Sequence, residues 1–139
     1  MASVPVDLQW QIIRKNSCFI RRQRGIPKHF STEKFNLKGV NSIKYNGLIN
    51  KRGVNIEPAA DGKGITVTVK VKDQTTKPAR STATSVLTKD SRRCLKSVKN
   101  IVKTYDSRHV RLAQLRASQL LRSLKPGGRR NRRMHKVEA

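Results

Sequence analysis

The chain has 139 residues, which is enough for one domain, and 35% of them are apolar. Its 32 Lys and Arg residues outnumber 8 Asp and Glu residues, so the formal net charge is +24 at pH 7. This imbalance argues against a solvated surface without a partner and favours a polyanion, with nucleic acid first and an anionic membrane surface second. Because no apolar run has membrane-spanning length and the N-terminus lacks a secretory pattern, we expect a soluble cytosolic or nuclear protein.

The first 39 residues are predicted to contain a helix, a strand and a basic loop. Leu8 and Ile12 have helical spacing and Asp7 is a candidate N-cap, although alternation in the same segment leaves a strand open. A strand is expected at residues 18–20. Residues 21–39 have no clear period and carry many cations, so they are predicted to be a surface loop that a partner orders, or that stays unordered.

Residues 40–72 are predicted to form a small antiparallel sheet. Ile43 and Tyr45 alternate with polar residues, and the dipeptide at Asn46 and Gly47 is typical of a turn. The stretch ITVTVKVK at residues 65–72 alternates β-branched residues with Thr and Lys. This pattern predicts one strand face on a core and one face towards water or phosphate.

The acidic and glycine-containing stretch EPAADGKG, residues 57–64, is predicted to be a hairpin turn. A phosphate-binding P-loop needs a different glycine spacing between a strand and a helix, whereas this stretch runs from a turn into a strand. Glu57 and Asp61 are the candidate acid–base pair, but Asp before Gly favours a turn by bonding its own backbone. Lys63 remains a candidate RNA contact.

A polar linker is expected at residues 72–85, followed by two amphipathic helices within residues 88–125. Asp90 or Ser91 can cap the first helix, and Asp106 or Ser107 the second. The apolar face of the first helix comprises Cys94, Leu95, Val98, Ile101, Val102 and Tyr105. That of the second comprises Val110, Ala113, Ala117, Leu120, Leu121 and Leu124. Leu95, Val98, Leu120 and Leu124 are expected to pack against Ile65, Val67, Val69 and Val71 of the sheet.

No catalytic or metal-binding constellation is found in the sequence, so we predict a protein without enzymatic activity, metal or cofactor. Cys18 and Cys94 are far apart and lack the spacing of a zinc site. The histidines at positions 29, 109 and 135 stand in separate basic contexts and are expected to be surface contacts.

Long RNA is the partner that this pattern favours, because Lys and Arg neutralise phosphates regardless of sequence. Tyr45 and Phe30 could stack on a base, although core packing is favoured for Tyr45. The candidate RNA-binding residues are the cations of the loop, the turns, the helices and the tail: Arg21, Arg22, Arg24, Lys38, Lys44, Lys51, Arg52, Lys63, Arg92, Arg93, Arg108, Arg111, Arg116, Arg122, Arg129 and Arg130.

The stretch FSTEKFNLKGVNSIKYNGLINKRGVNIEPAADGKGITVTVKVK resembles the signature half of the eukaryotic L28e family of large-subunit ribosomal proteins. DLQWQIIRKNSCFIRR resembles the start of that family and LRASQLLRSLKP its last helix. The resemblance implies a structural protein of the cytosolic large (60S) subunit that contacts large-subunit ribosomal RNA and neighbouring ribosomal proteins. It also implies no catalysis and no small-molecule substrate or membrane partner. Cytoplasmic localisation follows, with transient passage through the nucleolus.

The predicted fold class is α+β: a small antiparallel sheet followed by two C-terminal helices, with basic loop and tail extensions. Residues 1–126 are expected to form one domain, with the β-rich part at about 17–72 and the helical part at about 88–125, followed by a basic tail at 127–139. Three alternatives stay open: a ribosome-assembly factor built on the same domain, a DNA-binding helix-turn-helix protein, and a nuclease-like enzyme.

Overall fold

A computed structural model of the chain describes residues 4–74 and 76–125. The predicted tail at 127–139, with Arg129 and Arg130, therefore lies outside the described residues. The helices and strands are α1 (Val6–Ile13), β1 (Ile20–Arg21), β2 (Phe30–Ser31), β3 (Val54–Pro58), β4 (Ile65–Lys70), β5 (Thr82–Leu87), α2 (Ser91–Tyr105) and α3 (Val110–Ser123). Small antiparallel sheets followed by two C-terminal helices confirm the predicted α+β class.

The larger sheet has the antiparallel order β3-β4-β5. Its central strand β4 alternates buried apolar residues with half-buried Thr and Lys, as the period of two predicts. The β3–β4 turn is closed by the Ala59 N–H, which donates to the Gly64 carbonyl at 3.1 Å. Gly64 has a φ of +103°, and a Cβ at this position would collide with the Leu87 carbonyl, so glycine is required here. The hairpin interpretation of EPAADGKG is confirmed.

The prediction of a linker at residues 72–85 is wrong, because the segment contains most of a strand. Thr82–Leu87 pairs with β4, with Ser85 opposite Val67 and Leu87 opposite Ile65. In the sequence TATSVL, large apolar residues do not alternate with polar ones. The reason is that β5 lies at the edge of the sheet and most of its side chains are exposed. An edge strand of this kind lacks the periodic signal on which the prediction depended.

The hydrophobic core lies between the sheet and the helices α2 and α3. It comprises Val54, Ile56, Ile65, Val67, Val69, Cys94, Val98, Val102, Ala113, Ala117 and Leu121. Leu95 and Leu120 are half-buried and pack against this core, as predicted. Val71 and Leu124 were also expected to pack there, but both are half-buried outside it, because Val71 follows the end of β4 and Leu124 follows the end of α3.

The prediction of a strand through Ile43 and Tyr45 is wrong, and residues 42–50 form turns instead. The Asn46 Oδ1 accepts hydrogen bonds from the backbone N–H groups of Leu48 and Ile49 at 2.9 and 3.0 Å. The Asn50 side chain donates to the carbonyls of Ile43 and Asn46 at 3.0 and 2.8 Å. These side chains satisfy the backbone locally, which competes with strand pairing.

The N-terminal helix is confirmed, although its N-cap is Pro5 and Asp7 lies inside the first turn. The next strand begins at Ile20, later than predicted, and pairs with Phe30–Ser31. The interpretation of residues 21–39 as a loop without structure of its own is therefore wrong for β2. Within residues 4–74 and 76–125, no helix is both long enough and apolar enough to cross a membrane.

Candidate nucleic-acid interface

Two predicted RNA-binding lysines meet at one aromatic ring. The Nζ atoms of Lys38 and Lys44 lie 5.2 and 5.7 Å from the centroid of the Tyr45 ring. This distance permits cation–π attraction. Arg52 lines the cleft beside the ring together with Lys44. The structure thus brings two predicted contacts, Lys44 and Arg52, to one cleft, here called the Tyr45 cleft, and Lys38 lies on the Tyr45 ring next to it.

The loop that carries Lys38 and Lys44 is organised around a buried carboxylate. Glu33 is only 6% exposed, and its Oε1 accepts hydrogen bonds from the side chains of Asn36 at 2.9 Å and Asn46 at 3.2 Å. Asn36 in turn donates to the carbonyl of Val40 at 3.0 Å. A network of this kind can order a polar loop without an apolar core of its own. The loop therefore holds its cations in place before any partner binds.

Lys70 connects this loop to the sheet. Its Nζ donates to the carbonyls of Gly47 and Asn50, the latter at 3.3 Å, and lies 5.1 Å from the centroid of the Phe35 ring. Burial lowers the pKa of Lys70, and the nearby Glu33 charge opposes this shift. The prediction that Lys70 faces water or phosphate is wrong, because the loop covers this end of the outer sheet face.

The junction between α2 and α3 is built on Asp106, whose side chain is 3% exposed. Its carboxylate accepts hydrogen bonds from the Arg108 backbone N–H and Nε, both at 3.2 Å, and from His109 Nδ1 at 2.8 Å. Burial by itself would raise the pKa of Asp106, but the hydrogen bonds from Arg108 and His109 outweigh it and place the pKa below its usual value. The carboxylate is therefore ionised. Asp106 caps the short 3-10 turn Ser107–His109 that leads into α3, whereas the N-cap of α3 itself is His109, so the prediction that Asp106 or Ser107 caps the second helix holds only for this turn.

His109 was expected to be a surface contact, and that expectation is wrong. The His109 side chain is 14% exposed, because it lies between Asp106, which accepts its hydrogen bond, and the Tyr45 ring, whose centroid is 5.9 Å from that of the His109 ring. Tyr45 in turn lies half-buried outside the hydrophobic core, so its expected core packing is also wrong. The physical reason is that Tyr45 is in a turn, which directs its ring at the start of α3.

Arg108 lies just before α3 and shares an apolar groove with Arg111, whereas Arg116 and Arg122 of α3 have other surroundings. Arg108 keeps 63% of its side chain exposed although it is paired with Asp106. Arg111 lines an apolar groove with Leu115, while Arg116 lines a polar cleft with Lys38. Arg122 is exposed in the last turn of the helix.

Every predicted RNA contact within the described residues has an exposed side chain. Arg21 is in β1, with Arg22 and Arg24 directly after it, and Lys51 directly precedes Arg52. Lys63 lies in the β3–β4 turn and Arg92 and Arg93 lie in the first turn of α2, and none of these three lines the Tyr45 cleft.

In the described part of the chain, no cluster of three His, Cys, Asp or Glu side chains could hold a metal ion. Both cysteines are free, Cys18 exposed and Cys94 buried. Burial raises the pKa of the Cys94 thiol, which donates to the Lys89 carbonyl at 2.8 Å. This thiol is part of the core.

Sequence reasoning missed the residues that hold the candidate interface in place, namely Glu33, Lys70 and the Asp106–His109 pair. Lys70, and Glu33 through Asn46, have partners at least 13 residues away, which no local pattern reveals, whereas the partners of Asp106 lie within three residues. One signal was available: Glu33 and Asp106 are acids in a chain with few acids, and such residues often have buried cationic or amide partners.

The fold and this surface define a small α+β protein whose outer side is strongly basic. The Ribosomal L28e protein family model matches residues 8–123, and the chain belongs to this family. It is 46% identical over 117 residues to the large ribosomal subunit protein eL28 of Caenorhabditis elegans, covering 84% of this chain and 87% of that one. The eL28 proteins of Dictyostelium discoideum and Schizosaccharomyces pombe are 33% and 32% identical over 128 and 129 residues. Each alignment covers 89% of this chain, with 94% and 96% of the relatives.

Proposed function

We propose that the protein is a structural constituent of the cytosolic large (60S) ribosomal subunit, where it binds large-subunit ribosomal RNA and supports translation. Membership of the Ribosomal L28e protein family supports this proposal. The observation that supports RNA binding is that two acidic side chains are buried while the predicted RNA-contacting cations are exposed. Glu33 and Asp106 are buried, whereas every predicted RNA-contacting cation in the described residues is exposed.

Binding depends on phosphate neutralisation in this proposal. Each Lys or Arg that meets a phosphate releases condensed counterions, which supplies affinity without base recognition. Arg116 and Arg122 add planar donor groups that fit two phosphate oxygens at once. The exposed cations set the pose of the protein on the RNA, and the core of sheet and helices keeps them at fixed separations.

The surface around the Tyr45 cleft carries several predicted contacts close to one aromatic ring. Lys38 and Lys44 lie beside the ring and Arg52 lines the cleft with Lys44, so a phosphate group at the mouth of the cleft would meet several cations. The loop is held by Glu33 and Lys70, so little conformational entropy is lost on binding. We propose this cleft as the leading phosphate contact among the predicted sites.

The proposal includes neighbouring ribosomal proteins as further partners, and it includes no catalysis, cofactor or small-molecule substrate. It places the protein in the cytoplasm within ribosomes, after passage through the nucleolus during assembly. We further propose that residues 1–126 form a single domain and that residues 127–139 form a basic tail.

Sedimentation of cell extract on a sucrose gradient, before and after a high-salt wash, tests this function. We expect the tagged protein in large subunits and polysomes, and we expect it to resist the wash because many phosphate contacts must be lost together. Presence only in nuclear precursor particles would indicate an assembly factor instead. Protein at the top of the gradient or on chromatin would contradict both interpretations and favour the DNA-binding alternative.

A further inference from the structure

Within residues 4–74 and 76–125, one edge of the strand β5 has no hydrogen-bonding partner. It lies at the end of the sheet order β3-β4-β5, and the Val71 N–H donates to the Ser81 carbonyl at 2.9 Å. Because antiparallel pairing alternates, the odd-numbered residues of β5 bond to β4. The even-numbered residues direct their N–H and C=O groups away from β4. The described part of the chain supplies no hydrogen bond to these groups, which belong to Thr82, Thr84 and Val86.

This edge lacks the features that normally protect an exposed strand. Residues 81–88 contain no charged residue and no proline, although 29% of the chain is charged. The opposite edge strand β3 ends in Pro58 and packs against α3. Natural proteins block open edges with Lys, Pro or a covering element, since free edges pair with other chains. The absence of this protection at β5 indicates that a partner covers the edge.

A groove beside β5 would receive the side chains of such a partner. It has a volume of about 360 Å³ and lies between the inner face of the sheet edge and α2. Val69 and Ala83 line it from the sheet, and Ile101 and Tyr105 line it from α2. Tyr105 is 38% exposed and so offers apolar surface to a partner. Every second side chain of an added strand would point into this groove.

We propose that β5 and this groove, together the β5 edge, bind an extended segment of another protein in the same particle, which adds to the sheet as a fourth strand. This inference rests on the proposed function and specifies one class of protein neighbour. Main-chain hydrogen bonds supply affinity in strand addition, and the groove supplies specificity. The segment carries apolar residues at alternate positions and carboxylates near its ends, because exposed Arg80 and Lys89 flank β5.

RNA and a second copy of the chain fit this edge less well. Strand β5 has no cation along its length, since Arg80 and Lys89 lie only beyond its ends, and the single ring of Tyr105 in the groove gives no series of stacking surfaces for successive bases. Two copies would bring two chains of net charge +24 together, which is strongly repulsive.

Thr84→Pro tests the strand addition, with Thr84→Ala as the matched control. The Thr84 N–H points away from β4, so proline there removes a donor for the partner and no bond of the β4–β5 ladder. A photoreactive amino acid at position 86 identifies the neighbour. The tagged protein is expressed in cells, large subunits are isolated and irradiated, and the cross-linked species are identified by mass spectrometry. We expect a cross-link to a peptide of another large-subunit protein, with a yield about tenfold lower for Thr84→Pro and unchanged for Thr84→Ala.

Thermal unfolding of each variant verifies that the sheet is intact. If the proline variant is unfolded, Val86→Lys is used instead, and the photoreactive group is moved to position 84. Val86 is 58% exposed, so a lysine there blocks the edge without a change in the core. Cosedimentation with the large subunit reports the proposed function separately. In subunits that contain the protein, a cross-link to RNA or to a second copy, or no cross-link, overturns the strand addition and leaves the proposed function standing. Absence from large subunits overturns the proposed function, and the inference of a neighbour in that particle with it.

Discussion

His109 Nδ1 donates a hydrogen bond of 2.8 Å to the buried carboxylate of Asp106. The pair joins the end of α2 to the start of α3, and the His109 ring also lies against Tyr45. One interaction therefore relates the orientation of the helices to the position of the loop that carries Lys38 and Lys44.

Asp106→Asn is expected to lower the free energy of unfolding by about 1–3 kcal/mol, because the amide has a single acceptor oxygen for Arg108 and His109 and no charge. Equilibrium unfolding in urea measures the change. Asp90→Asn is the control: Asp90 also precedes a helix, but its side chain makes no capping hydrogen bond, so its effect should stay within about 0.5 kcal/mol. Equal effects of the two variants would show that the Asp106 network contributes little.

The stabilisation by Asp106 should disappear in acid. Its pKa in the folded protein lies below its usual value, so its contribution is fully present above the unfolded pKa of about 3.9. It is lost as the pH falls through the lower, folded pKa. Urea unfolding of the wild type and Asp106→Asn from about pH 6 to about pH 2 should show a stability difference that is constant at first and shrinks in acid. A difference that stays constant below the folded pKa contradicts the assignment.

Lys70→Met should destabilise the protein by about 1–3 kcal/mol, because the carbonyls of Gly47 and Asn50 lose their donor while the apolar stem is kept. Lys72→Met is the matched control, since Lys72 is exposed and lies two residues after the end of β4. Hydrogen exchange should also show faster exchange of the amides in residues 42–50 for the Lys70 variant alone. Unchanged exchange there would mean that the loop is ordered without Lys70.

The double variant Arg111→Ala with Arg122→Ala should weaken RNA binding and flatten its dependence on salt by about one unit of slope per lost phosphate contact. The two residues are three helical turns apart and lie on the same side of α3. Titration of ribosomal RNA at several salt concentrations measures the slope. Lys77→Ala with Lys89→Ala removes the same charge outside the predicted contacts. If both double variants flatten the slope equally, total charge alone decides the affinity, and the α3 face is not a specific contact.

The sequence predicted those elements whose burial repeats along the chain. Val67 and Val69 in β4, and Val98 and Val102 in α2, recur at the periods of a half-buried strand and an amphipathic helix. The hairpin turn before β4 was predicted because its Asp-Gly and Gly positions favour turn conformations. These signals are local, so one sequence is enough to detect them.

The parts that the sequence did not predict depend on contacts between distant residues. Strand β5 is visible only through its pairing with β4, and the loop with Tyr45 is ordered by Glu33 and Lys70. For the candidate interface, composition predicted exposed cations, and Lys38, Lys44 and Arg52 were named individually. Their grouping around the Tyr45 ring and its cleft could not be predicted. It follows from the turns of residues 42–50, where the alternation of Ile43 and Tyr45 with polar residues had indicated a strand.

The inward placement of Glu33 and Asp106 has a consequence for the protein before it reaches its partner. At most six of the chain's eight acidic side chains remain to offset charge on the outer surface. Under the proposed function, the newly made chain is therefore a polycation that attracts other anions before it reaches ribosomal RNA. Binding of an acidic molecule would neutralise part of this charge during that interval.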